Sequence, residues 1–481
     1  MAKFKRLTTG ALGALGAAAL LSGSAQAQNI GQELIDAVMG GKVDLTLRTR
    51  FEHVDDDALA PGGGKVKDAN AFTLRSVLGY ETGRFYGFGA YASAVDVSAF
   101  GGEAYNSTVN GKTDRAVVAD PETTEVSQVY ASYQVPPGAY GADPNNYLTG
   151  TNIRYGRQQI IFQNHRWIGN VVWRQKFQMY DGARLNYDSK RFGVNFNYAY
   201  IYNVNQIFTE RSGNRADWRM NTHLVNLDLD VGHWIPAVPA HLIGYALLFD
   251  YNNGAPVGRS VPVGSALVGQ SSSRASNKTF GVRLNGKFPF ARQRGPQALT
   301  LVYTGEYAHQ SDYANGAGVI DADYIFGQLG FEWFGVHLSG AYELLSGNGR
   351  YALQTPFATL HGHNGWADQF LTTPAQGLQD VWIQAGLDTT GAVASLPDTW
   401  RQVLGNIKLL ARYHDFNSDQ GSIHYGREFD IQAVKQVTPQ LSILLKYANY
   451  WADGDNTPAT QLASNITQDT QKWWVQGLFK F

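Results

Sequence analysis

Segments of about ten residues in which apolar and polar side chains alternate recur along this chain, and no other feature limits its fold so sharply. The last of them, residues 471–481 (QKWWVQGLFKF), puts Trp473, Val475, Gly477, Phe479 and Phe481 on one parity. Lys472, Gln476 and Lys480 take the other, with Trp474 and Leu478 as apolar exceptions. Successive side chains of a β-strand point to opposite faces, so this is a strand with one apolar and one mostly polar side. One such strand fits the edge of a soluble sandwich as well as the wall of a membrane barrel. The remaining chain decides between them.

With 481 residues the chain is long enough for one large or two ordinary domains. A net charge of −1 excludes the bulk electrostatic footprint of a nucleic-acid binder. Cysteine is absent, which removes any disulfide framework and any thiol chemistry. No apolar run is long enough for a membrane-spanning helix, but a barrel strand needs only about ten alternating residues. At the N-terminus, Lys3, Lys5 and Arg6 precede an apolar run at 11–21 and then Ala25-Gln26-Ala27. That order reads as a secretory signal, residues 1–27, cut after Ala27. Residues 28–42 are expected to form a short periplasmic segment, with one or two helical turns at 32–39 ended by Gly40-Gly41.

From residue 43 to 481 the alternation predicts strands at 43–54, 71–82, 84–97, 126–134, 152–160, 178–187, 191–203, 221–231 and 241–251. It continues at 278–288, 298–309, 322–333, 335–345, 407–414, 423–434, 441–451 and 471–481. Short connections (Gly83, 188–190, Phe334, Thr438-Pro439) take turns with long ones rich in Gly, Asn, Ser and Asp. Short periplasmic turns and long external loops are the outer-membrane pattern. Keeping both termini periplasmic requires one more strand between 346 and 405, and residues 378–387 (LQDVWIQAGL) fit it. The count is then about eighteen, even as closure requires. The fold class is therefore all-β, a transmembrane antiparallel barrel rather than a soluble sandwich. No repeat of 20–50 residues points to a propeller or β-helix. A last strand ending on Phe481 resembles the closing strand of bacterial outer-membrane barrels, which implies contact with the outer-membrane assembly machinery and with lipid.

Several stretches resemble the alginate-export family of outer-membrane barrels: 41–52 (GKVDLTLRTRFE), 73–83 (TLRSVLGYETG), 155–159 (YGRQQ) with 166–169, 173–185 (WRQKFQMYDGARL), and 361–387 (HGHNGWADQF…GLQDVWIQAGL). The resemblance implies an eighteen-stranded pore with an arginine-rich lumen, which in the family's namesake passes an anionic polyuronate out of the cell.

Parity places Arg48, Arg50, Arg75, Arg154, Arg184, Arg283, Lys287, Lys408, Arg412 and Lys446 on the inner face. A lipid-facing Lys or Arg near mid-bilayer would cost about 2–4 kcal/mol, which agrees with that assignment. The bland reading of each is a charge solvated in a wide pore. Symmetric closure of the 161–177 loop would set Arg154 opposite Arg184 and Arg157 opposite Asp181. Like charges across a ladder repel, so a partner anion or a nearby carboxylate is expected for the arginine pair. Inward carboxylates gather later: Asp228, Asp230, Asp250, Glu306, Glu332, Glu343, Asp380, Glu428 and Asp430. Lys408 is expected to neutralise Asp430, and Arg412 Glu428. The expected result is a basic wall facing an acidic one, a field of the kind that sets selectivity in pores.

Residues 346–377 form a loop long enough to fold inward as a plug or gate. His361, His363 and Asp368 in it have the types of a metal set, but turn-rich loops produce such sets by chance, and no metal or cofactor is assigned. Asp55, Asp56 and Asp57 read as a solvated acidic loop rather than a calcium site. The sequence carries no GxSxG before a helix, no HExxH and no P-loop. The outward stripe Phe196, Tyr198, Tyr200 and Tyr202 reads as lipid contact. The function expected is an outer-membrane channel for anionic or polar solutes such as sugars and uronates. Export of an anionic polysaccharide is the alternative, and a plugged structural barrel a third.

Overall fold

The computed structural model describes residues 25–136, 147–252, 266–268, 270–290, 298–393, 397–453 and 466–481. Residues 1–24, which hold most of the expected signal, lie outside the described residues. The first element is a helix, α1 (Ala25–Met39), seven residues longer than the 32–39 expected, because the Ala and Gln ahead of it are good helix formers.

Eighteen antiparallel strands follow. They are β1 (Lys42–Asp56), β2 (Ala69–Glu81), β3 (Phe88–Ala99), β4 (Thr123–Gln134), β5 (Thr151–Gln158) and β6 (Met179–Ser189). Next come β7 (Val194–Asn205), β8 (Asp217–Asp230), β9 (Ala240–Phe249), β10 (Asn277–Pro289), β11 (Thr300–Asp312) and β12 (Asp321–Trp333). The last six are β13 (Val336–Leu345), β14 (Leu378–Asp388), β15 (Ile407–Asn417), β16 (His424–Gln436), β17 (Leu441–Ala452) and β18 (Thr470–Lys480). Each pairs with its sequence neighbours, and β18 pairs back onto β1, so no edge remains open. Phe481 completes the seam: its N–H donates to the Leu45 carbonyl at 2.9 Å, and Leu45 N–H donates to the Phe481 carbonyl at 3.1 Å.

The faces follow the alternation. On β14, Val381 and Ile383 are 48% and 64% exposed, while Asp380 and Trp382, which alternate with them, are 0% and 7%. A wall that exposes its aliphatic side and buries its carboxylates is inside-out relative to a soluble protein, as lipid requires. Two hairpins differ from expectation. The β2–β3 connection is a six-residue turn closed by the Phe85–Phe88 bridge rather than a turn at Gly83 alone. The β12–β13 turn is the tightest: Phe334 and Gly335 both have positive φ, 49° and 80°, so the two-residue loop matches the strand twist.

The apolar core lies inside the barrel. Trp167, Trp218, Phe357, Trp366, Phe370 and Trp474 belong to one buried cluster, to which the wall strands and two connections contribute. Those connections, residues 159–178 between β5 and β6 and 346–377 between β13 and β14, fold inward.

Candidate functional site: the lumen and its two inward loops

The 159–178 loop leaves one wall and reaches the opposite one. Arg166 Nε stands 2.9 Å from Glu343 Oε1 on β13, both side chains buried. Trp167 Nε1 donates to Glu306 Oε1 on β11 at 2.8 Å. Its return arm is held by β1, where Arg48 Nη1 donates to the Val172 carbonyl at 2.8 Å and Nε to Gln175 Oε1 at 2.9 Å. Arg48 also reaches the Trp173 and Arg174 carbonyls. Arg50 lies over the Trp173 ring at 4.0 Å and Arg75 over Phe177 at 4.4 Å. Arg48 and Arg75 are register partners, a like-charge pair made tolerable by the carbonyls and rings the loop supplies.

The 346–377 loop lies against this one. Gly169 N–H donates to the Phe357 carbonyl at 2.8 Å, and Thr359 N–H to the His165 carbonyl at 3.0 Å. His361 stacks flat on Trp173, centroids 4.0 Å apart. Its Nδ1 bonds Asp368 at 2.8 Å and its Nε2 bonds Lys446 Nζ on β17 at 2.8 Å. Lys446 sits 3.5 Å above the Trp366 ring and 4.3 Å from that of Trp173. One wall lysine thus joins both loops. Asp368 also accepts from Lys472 at 3.3 Å and Arg174 at 3.4 Å, and Arg174 donates to Glu52 at 3.3 Å. Gly365 (φ 87°) brings the loop backbone against Glu428, where a Cβ would collide with the carboxylate. The Glu428 carboxylate accepts from Ala367 N–H at 2.7 Å.

The charge states of the loop groups follow from these contacts. Burial, and then Lys446, hold the His361 imidazole well below its usual range, so the ring is neutral and accepts from the lysine. Burial and then Arg166 and Arg412 do the same to His363. Burial alone would raise Asp368, but His361, Lys472 and Arg174 outweigh it and hold the carboxyl well below the ordinary range.

The expected residues separate into groups. Arg48, Arg50 and Arg75 are buried under the loop. Arg154 and Arg184 are register partners, and Arg157 stands opposite Asp181 with Nε 2.9 Å from its carboxylate. No carboxylate lies within ion-pair distance of Arg154 or Arg184 among the described residues. Arg154 donates to Asn152 at 3.1 Å and lies over Tyr130, while Arg184 donates to Asn197 at 2.6 Å. Arg184 faces a cavity of about 690 Å³ lined also by Asn186, Asn195, Asn197, Asn226 and Asp228.

Most of the carboxylates are internally satisfied. Arg283 pairs with Glu306 at 2.5 Å, Lys287 with Glu332 at 2.8 Å and His241 with Asp228 at 2.9 Å. Glu343 accepts from Tyr324 and Asn364, and Asp380 lies 2.8 Å from His414, whose other nitrogen is 3.6 Å from Asp430. Asp230 accepts from the His233 N–H at the rim. In the expected acidic wall these carboxylates largely hold the loops and neighbouring strands.

Two pairings are also corrected. Register puts Lys408 opposite Val434, four residues from Asp430, and its nearest carboxylate is Asp388 at 4.0 Å on the exposed rim. Arg412 faces Asp430, with Glu428 diagonal, but donates to Gln384 at 2.9 Å and stacks on Trp382 at 4.5 Å. The shift arises because the hairpin closes beyond residue 417, with a bulge at Phe416/Asn417. His361 and His363 do not converge: the first serves Lys446, while the second lines another cavity with Asn364 and Arg412. No group of three metal-ligating side chains occurs among the described residues. Asp55 and Asp57 each bind Lys65 at 2.6 Å.

Sequence reading missed Arg166, Trp173 and Arg174 as parts of the plug, and Trp474 on β18 as the wall residue packed against Trp173 and His361. A signal was present: segment 160–177 (IIFQNHRWIGNVVWRQKF) is too apolar for a loop in water.

Residues 41–344, more than half of the chain, match the family model for alginate export. Among solved structures, Acinetobacter baumannii OccAB2 superposes with a TM-score of 0.63 at 14% identity, over 93% of this chain and 99% of that one. Pseudomonas aeruginosa OccK9 (OpdG) gives 0.61 at 11% identity, over 92% and 100%. Pseudomonas aeruginosa OpdK with vanillate gives 0.60 at 12%, over 92% and 99%. At these identities the likeness is one of fold. No curated protein matches the chain.

Proposed function

The chain belongs to the alginate export family, an outer-membrane channel for solutes, and from that premise we propose that it passes small anionic or polar solutes, sugars and uronates among them, past a displaceable plug. The observation that carries the reading is the Arg154–Arg184 pair. Two guanidinium groups face each other with no carboxylate partner among the described residues, and Arg184 opens onto the asparagine-lined cavity. Arg48, Arg50, Arg75 and Arg283 are occupied by loop carbonyls, rings and carboxylates, and Arg412, held by Gln384 and Trp382, faces Asp430, so this pair is the place left for a solute carboxylate. OpdK was solved with vanillate, itself a carboxylate, and a solute of that size suits the cavity better than a polymer. In this reading Arg48, Arg50, Arg75, Arg283, Lys408 and Arg412 line the route, as do the paired carboxylates, and the chain acts by passage rather than catalysis.

The signal at 1–27, the short segment at 28–42 and the barrel from 43 onward complete the reading, with Phe481 as the mark for outer-membrane assembly. The test is planar-bilayer conductance with reversal potential under a salt gradient and added oligo-uronate. Anion preference that falls in Arg154→Ala and Arg184→Ala supports the proposal. Block by long uronate chains would move the assignment to polysaccharide export. Absence of conductance even with the plug shortened would leave a structural barrel.

A further inference from the structure

We propose that helix α1 lies in the periplasmic headgroup zone of the membrane, with Ile35 and Met39 against lipid. The inference rests on the outer-membrane reading and adds a surface that reading does not use. The helix is tied to the outside of the barrel. Tyr80 has the outward parity of β2, with Leu78, 59% exposed, two residues before it. Its hydroxyl donates to the Val38 carbonyl and accepts from Gly41 N–H at 3.2 Å. Gly83 N–H donates to the Ala37 carbonyl at 2.8 Å, and the Tyr86 hydroxyl to Glu33 Oε2 at 3.2 Å. All four contacts come from the rim of β1–β3, two of them from side chains that point away from the lumen.

At 3.6 residues per turn, Leu34, Ile35, Val38 and Met39 share one broad side, and Glu33 and Asp36 the other, with Gln32 at the border beside Met39. Leu34 and Ala37 are half-buried against the barrel, whereas Ile35 and Met39 are 54% and 77% exposed. The apolar flank ends on the lipid-facing wall: the Val38 carbonyl is held by Tyr80, and Leu78 and Val43 beside Tyr80 on that outward face are 59% and 52% exposed. That continuity selects lipid over a protein partner as the occupant. An amphipathic helix in this position sinks its apolar side about 5–10 Å into the headgroup and acyl boundary.

Because the chain has no cysteine, single labels are unambiguous. The full chain carrying Ile35→Cys, Asp36→Cys or Leu78→Cys, each labelled with an environment-sensitive fluorophore, is reconstituted in vesicles. Folding of each is checked by heat-modifiable migration. Nitroxide lipids labelled high on the acyl chain should quench Ile35→Cys and Leu78→Cys, while aqueous iodide quenches Asp36→Cys. A water-exposed Ile35 position beside a lipid-quenched Leu78 position overturns the proposal and leaves the flank to a protein partner. Lipid quenching at Asp36 as well overturns it too, since the helix would then be immersed. If Leu78 itself is in water, the membrane-spanning reading fails and the helix proposal with it.

Discussion

Lys446 and Arg166 carry the plug in different ways. Arg166 spans the lumen to a buried Glu343, so Arg166→Met leaves an anion whose remaining donors are the neutral Tyr324 and Asn364. Breaking such a pair costs about 3–5 kcal/mol, on the order of a hundredfold or more in the closed-to-open ratio. Single-channel records should show the variant open for most of the time, and an unchanged open fraction would remove Arg166 from the latch. Lys446→Met keeps the apolar stem under Trp366 but loses the cation–π contact and the bond to His361. The expected loss is smaller, about 2 kcal/mol. His361 makes the closed plug sensitive to acid. Its folded pKa is lowered by burial and then by Lys446, so the closed state binds fewer protons than the open one. Closure is thus fully stable above the free imidazole pKa of about 6.5 and weakens as pH falls below it. Asp368, whose carboxyl is depressed, adds a loss only at much lower pH. Open probability should rise between about pH 7 and pH 5, and the rise should shrink in His361→Gln. His363 shifts in the same direction, so a residual pH response in that variant is expected to vanish in the double substitution with His363→Gln.

Strands and loops differ in how much the sequence discloses. Every strand was legible because lipid outside and water or plug inside impose opposite demands on successive residues, and parity alone recovered β14 inside a stretch of otherwise loop-like composition. The Arg154–Arg184 and Arg157–Asp181 register was legible too, since the β5–β6 hairpin closes symmetrically. The β15–β16 register was not, because a bulge and an off-centre loop shift it. The plug was legible only as a possibility for 346–377. Its contacts join residues more than a hundred apart, such as Arg48 with Val172 and Thr359 with His165, and no local period reports those. Since the strands close through their own ladders, the plug should be separable from the wall. Replacing residues 352–372 with a short Gly-Ser link spans β13 and β14 without touching their register. The heat-modifiable barrel should persist, because loop length alters closure entropy only slowly, while conductance rises several-fold. Loss of the folded band would show instead that the plug is part of the fold, as the buried aromatic cluster between wall and loops would then demand.

Across the whole molecule the charges nearly cancel, at 39 basic against 40 acidic side chains, so any selectivity must come from where they sit. Glu306, Glu343 and Asp380 are bound by wall and loop donors, and Arg48, Arg50 and Arg75 are covered by the plug. Paired, buried charges contribute little field to an ion in transit, whereas Arg154 and Arg184 have only amides and an aromatic ring beside them. The molecule should therefore behave as a weak anion selector governed by one cross-strand pair. Its field reaches about 10 Å at 0.1 M salt and about 3 Å at 1 M. Reversal potentials taken around 0.1 M KCl should favour chloride, and the preference should largely disappear around 1 M. In the Arg154→Ala, Arg184→Ala double variant the low-salt preference should already be gone, leaving little for salt to screen. A double variant that keeps the low-salt preference would place the selective field on the covered arginines, which requires the plug to move aside during conduction and expose them. A chain with residues 160–177, which cover those arginines, replaced by a short link separates the two cases. It should raise anion preference only if Arg48, Arg50 and Arg75 then join the water-filled route.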